Sequence, residues 1–212
     1  MMNSKSLNVF VLLVAGVVNP HLLADTIVSI NLDTHSLIGY LGCPCAINYQ
    51  LTRGDPASVN SVTVSGIGLG GGIPQGVPDI SGGISGDLFN GVVLTTASFI
   101  NDFVQDFQAG DFIRFTLVFS TNYSGAGPVD RLTMAILAGG IEIPTLGPGD
   151  ALLGIDLLPN TTVETYSSDR SRTALPLGPP QVVPEPATFT LLGIALISIA
   201  AFAGRKRPPQ GM

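Results

Sequence analysis

Few residues in this 212-residue chain combine a type and a spacing that could do chemistry, and His35 is the first of them. It stands in Asp33-Thr34-His35-Ser36, where a Ser-His-Asp relay would need a serine aimed by a sharp strand-to-helix turn. No Gly-x-Ser-x-Gly elbow is present, and the second histidine, His21, falls in a segment expected to be cleaved away. A lone imidazole beside a turn is ordinarily solvated and cannot furnish a histidine-rich metal site. No catalytic residue is assigned, and the chain is not read as an enzyme.

Cys43-Pro44-Cys45 holds the only two thiols. In an oxidising compartment they would pair as a local clip, while an intermolecular bridge and a free pair stay open. The spacing is not the C-x-x-C of thioredoxin-like redox chemistry. Asp102, Asp106 and Asp111, and Asp150 with Asp156, could offer oxygen ligands to Ca²⁺. None forms the D-x-D-x-D-G loop of an EF-hand, and solvated carboxylates on turns are the simpler reading, so no metal and no cofactor is assigned. Asn122-Tyr123-Ser124 and Asn160-Thr161-Thr162 match the short N-glycosylation pattern, which is frequent by chance.

The elements that would position these residues are strands. β-Branched runs recur at Thr26–Leu32, Ile47–Thr52, Ser61–Ile67, Val92–Thr96, Phe112–Ser120, Leu132–Leu137 and Ala151–Leu157, with a weaker one at Thr161–Tyr166. Gly, Pro, Asn and Asp punctuate them, as in Arg53-Gly54-Asp55-Pro56 and Ser124-Gly125-Ala126-Gly127-Pro128. This predicts an all-β fold, an antiparallel β-sandwich of jelly-roll-like form. The glycine-dense stretch Gly66–Gly86 reads as a long loop, with a glycine-spaced edge segment as the alternative. It lacks the Gly-Lys-Ser/Thr of a phosphate-binding loop. Phe99, Phe103 and Phe107 suit one face of a helix or of a strand, and a short turn-containing strand pair is expected there.

Charge narrows the partners. Between Asp25 and Val183 fourteen acidic side chains stand against five arginines and no lysine, a formal −9. Phosphate backbones are bound by clustered Lys and Arg, so no nucleic-acid partner is expected. Residues 1–24 read as a signal peptide for the Sec machinery: Lys5, then the apolar Leu7–Val18, then Asn19-Pro20, with cleavage expected after Ala24. The β domain would span 25–173, followed by a Pro-rich linker at 174–183. Ala187–Gly204 is 18 residues without a charge, about 27 Å at helical rise, long enough for a transmembrane helix. Arg205, Lys206 and Arg207 would stop transfer and stay cytoplasmic, with 208–212 as a short tail.

Val183-Pro184-Glu185-Pro186, the span and the basic cluster, in that order, resemble the PEP-CTERM sorting signal of exported proteins. That resemblance implies that residues 184–207 act as a sorting signal. It also implies that an exosortase-type membrane enzyme reads Pro184, Glu185 and Pro186 and removes the helix. The protein would then pass from a transient inner-membrane anchor to the outer surface or extracellular matrix of a Gram-negative bacterium. The remainder is similar to one group of PEP-CTERM proteins at Leu32-Asp33-Thr34, the glycine-dense stretch, Phe99–Phe103, Phe115–Thr121 and Ile143-Pro144-Thr145. That group offers no catalytic residues to carry over. The expected role is a non-catalytic surface or matrix component associated with exopolysaccharide or biofilm matrix. A carbohydrate-binding module or a Ca-dependent adhesin is the alternative.

Overall fold

The computed structural model describes residues 26–159 and 161–183. The predicted signal peptide (1–24), the motif Pro184, Glu185 and Pro186, the span 187–204 and the basic Arg205, Lys206 and Arg207 lie outside the described residues. Strand follows strand. In chain order they are β1 (Thr26–Asp33), β2 (Cys45–Thr52), β3 (Ser61–Gly68), β4 (Ile73–Pro74), β5 (Asp79–Ser81), β6 (Gly83–Asp87) and β7 (Gly91–Thr95). Then come β8 (Ile100–Gln108), β9 (Phe112–Phe119), β10 (Arg131–Ala138), β11 (Ile141–Glu142), β12 (Leu153–Asp156), β13 (Val163–Thr165) and β14 (Gln181–Val183).

Every pairing is antiparallel, and the strands form two sheets. Sheet A has the order β14-β1-β9-β3-β7-β6; sheet B has the order β13-β12-β10-β2-β8-β4, with β11 beside β10 and β5 beside β8. Alternation decides which side of each strand is dry. β1 buries Val28, Ile30 and Leu32, β9 buries Ile113, Phe115, Leu117 and Phe119, and β2 buries Ile47, Tyr49 and Leu51. These apolar sides meet in one core between the sheets. The Tyr49 ring of sheet B stands edge-on to Phe115 of sheet A at 5.6 Å and tilts against Phe103 at 6.0 Å. Burial of one such aromatic is worth about 1.5–3 kcal/mol. The Tyr49 hydroxyl has no hydrogen-bond partner among the described residues, and burial pushes its pKa upward.

Three expectations change. The glycine-dense stretch takes the alternative form rather than a long loop: it carries β4, β5 and β6, with β4 and β6 at sheet edges. Side chains far along the chain hold it. Asn101 Oδ1 accepts from Gly83 N at 2.8 Å, and Gln105 Oε1 accepts from Leu88 N at 2.8 Å while its Nε2 donates to Gly76 O at 3.2 Å. The phenylalanine segment is one continuous strand, β8, rather than a turn-containing pair. Its even spacing places Phe103 and Phe107 in the core beside Asn101 and Gln105, whereas Phe99 precedes the strand and is exposed. Residues 174–183, expected as a linker, also pack on the domain. Leu175 and Leu177 are buried, and β14 pairs with β1 through Ser29–Val183 and Asn31–Gln181.

Candidate functional site

A shallow trough of about 530 Å³ opens on the outer face of sheet A, over β1, β9 and the end of β14. Register builds it. Asn31 lies opposite Arg114, and Ser29 lies opposite both Thr116 and Val183, so these residues share the face turned away from the core. Ser29 Oγ and Thr116 Oγ1 are 3.2 Å apart. On the other flank β3 inserts one extra residue between Ser65, opposite Thr116, and Gly68, opposite Arg114. Such a bulge bends a strand and re-aims its neighbours.

Arg114 is laid flat by what lies beneath it. A Cβ on Gly68 would meet its Nε at 2.9 Å and its Cγ at 3.2 Å, so only glycine lets the stem rest there. The guanidinium ends over the Phe112 ring, 5.5 Å from its centroid. No carboxylate among the described residues lies within ion-pair distance of it.

Sheet B presents a different outer face. Asp79, Asp102, Asp106, Asp156 and Glu164 sit on strand positions of that face, with Glu142 on β11. Its one strand arginine, Arg131, lies over Gly154 and is tied to Asp156 Oδ1 at 2.7 Å and Glu164 Oε2 at 2.5 Å. Burial works against that guanidinium's charge, but the bonds to Glu164 and Asp156 outweigh it and its pKa rises. Glu164 is held below the ordinary range, first by its hydrogen bond with Arg131 and then by that with Tyr166. Glu142 moves the other way: partial burial, then the charges of Asp150 and Asp102, raise its pKa.

A polar joint links two of the crossovers between the sheets, β2 to β3 and β9 to β10. Asp130, 1 % exposed, accepts from Gly54 N (2.7 Å) and Asp55 N (3.0 Å) on one oxygen and from Asn60 Nδ2 (2.8 Å) on the other. Asn60 also donates to Asn122 O at 2.9 Å and accepts from Asn122 N at 2.7 Å. Asp55 is held at a pKa of about 2, first by the hydroxyl of Ser124, against desolvation, and then by the backbone N–H groups of Ser124 and Ala57.

The residues singled out from sequence are not gathered into one place. Cys43 and Cys45 are joined by a disulfide, with Cα atoms 4.3 Å apart, at the start of β2. His35 Nδ1 lies 3.1 Å from Asp111 Oδ1 in an exposed pair. Asp102 accepts from Asn48 Nδ2 at 2.7 Å, while Asp150 pairs with Arg172 and Asp156 with Arg131. Among the described residues no group of three or more His, Cys, Asp or Glu is placed to hold a metal ion. For the trough, the signal in the sequence is the alternation in Phe112-Ile113-Arg114-Phe115, which puts Phe112 and Arg114 on one face. Nothing local in the sequence marks Asn60 or Asp130 as partners, seventy residues apart.

Comparison with known proteins adds one finding at the C-terminal end. Residues 182–207 match the family model described as the PEP-CTERM protein-sorting motif. The match begins inside β14, so the sorting motif continues directly from a strand paired to the edge of sheet A. No curated protein and no solved structure matches the chain. No helix among the described residues is long and apolar enough to cross a membrane.

Proposed function

We infer, with the sorting motif as the premise, that the domain is a non-catalytic component of the cell surface or extracellular matrix, associated there with exopolysaccharide. A PEP-CTERM motif implies exosortase-dependent sorting of an exported protein, and its presence at 182–207 is the observation that carries this reading. In the proposed route the Sec machinery moves the domain across the inner membrane and the basic Arg205, Lys206 and Arg207 hold the apolar stretch 187–204 in place. An exosortase then reads Pro184, Glu185 and Pro186 and releases the domain to the outer surface of a Gram-negative cell. The sandwich is of jelly-roll kind, a view supported by the repeated passage of the chain between the sheets, from β1 to β2, β2 to β3, β7 to β8, β8 to β9 and β9 to β10.

The route is tested by intact mass spectrometry of the chain from cells with and without exosortase. The wild type is expected to lose its tail only when the enzyme is present. Pro184→Ala with Glu185→Ala is expected to cross the inner membrane and keep the tail. A wild-type chain that retains residues 187–207 in exosortase-positive cells would overturn the sorting step. The matrix role is tested separately, by retention of the exported protein on polysaccharide from the producing cells.

A further inference from the structure

We propose that the trough beside Arg114 binds carboxylate-bearing sugar units of an acidic polysaccharide, an inference that rests on the matrix reading above. Among the described residues Arg114 is the only basic side chain on the strands of sheet A, and no described carboxylate lies within ion-pair distance of it. Its stem over Gly68 and its head over Phe112 hold the guanidinium in one pose before any ligand arrives, which lowers the ordering cost of binding. A planar guanidinium matches a carboxylate through two parallel N–H···O bonds.

The surrounding residues choose the rest of the ligand. Asn31 offers amide donors and an acceptor, and Thr116, bonded to Ser29, a hydroxyl, at the spacing of one strand pair. Such groups suit the hydroxyls of a sugar ring, while Phe112 and Val183 supply apolar surface for its C–H edges. An extended peptide has no purchase, because β9 is an internal strand with neighbours on both sides and no free backbone edge. A phosphate polymer is disfavoured because a single arginine on an acidic domain cannot offer the clustered charge such backbones need. The trough is open and shallow, so affinity comes from many sugar units meeting many displayed copies. Sheet B, with its surplus of carboxylates, would face away from the polymer.

The test is affinity electrophoresis of the exported protein in gels holding polygalacturonate, dextran of similar length, or no polymer, all with chelator present so that calcium cannot bridge the polymer to sheet B. Retardation by polygalacturonate alone is expected. Arg114→Ala should weaken it about tenfold or more, as loss of a charge-assisted pair does. Gly68→Ala should weaken it by displacing the same side chain, and Thr133→Ala on the opposite face should leave it unchanged. Equal retardation by dextran, an unaffected Arg114→Ala, or full competition by millimolar inorganic phosphate would overturn the site. Should Arg114→Ala still be retained like wild type on polysaccharide from the producing cells, the site fails and the matrix role stands. Should neither protein be retained there, both fail.

Discussion

Arg114 and Arg131 occupy matching situations on opposite faces of one sandwich. Each lies flat above a glycine on a neighbouring strand, Gly68 for the first and Gly154 for the second. Their partners differ. Arg131 reaches two carboxylates on adjacent strands and is about a quarter exposed, whereas Arg114 reaches an aromatic ring and, among the described residues, no carboxylate. The same residue in the same posture is a structural tie on sheet B and an available cation on sheet A. What separates them is the company kept by register: β12 and β13 bring Asp156 and Glu164 beside β10, while β1 and β3 bring Asn31 and Gly68 beside β9.

This contrast can be broken from its base or sharpened at its tips. The largest effect is expected at the joint that holds both faces in one body. Asp130→Ala leaves Gly54 N, Asp55 N and Asn60 Nδ2 without their acceptor in a buried site, and should cost about 3 kcal/mol in urea unfolding. Because two crossovers between the sheets meet there, the loss should appear as one cooperative transition; two separated transitions would mean that the sheets are held independently.

A smaller effect separates the two arginines. Arg131→Ala should lower stability by about 1 kcal/mol, since its pairs are only partly shielded from water. Arg114→Ala should change stability by less than about 0.5 kcal/mol, as surface substitutions away from such ties do. Equal losses for both would erase the distinction between tie and free cation.

The smallest expected effect is a shift in acid sensitivity. Asp55 has a folded pKa near 2, below its unfolded value, so its contribution is complete above about pH 4 and is lost as pH falls towards 2. Ser124→Ala removes the largest cause of that depression. It should therefore move acid unfolding to a slightly higher pH while leaving neutral-pH spectra unchanged. An unmoved acid midpoint would assign the acid limit to other carboxylates.

How far each element could be read follows from how local its cause is. β1 and β9 were legible almost to the residue, because β-branched alternation is a steric and solvation pattern carried within a few residues. β8 was half legible: the even spacing of Phe103 and Phe107 showed one face but not an unbroken strand. In the glycine-dense stretch the expected loop gives way to the alternative, edge strands, because its order comes from outside it, from Asn101 and Gln105 on β8, and composition holds no trace of that distant partner. Residues 174–183 looked like a linker by their prolines, yet Leu175 and Leu177 find the core and β14 finds an open edge on β1.

The sorting motif and the class of the fold are both written in the order of neighbouring residues. A sorting motif is read as an ordered string, and strand alternation is a period-two property of neighbouring residues, so neither needs a partner elsewhere in the chain. Which charges are paired and which are left over depends on the assembled sheets. An arginine's availability depends on what stands across the ladder from it, and β12, β13, β1 and β3 are brought there by pairings that span tens of residues.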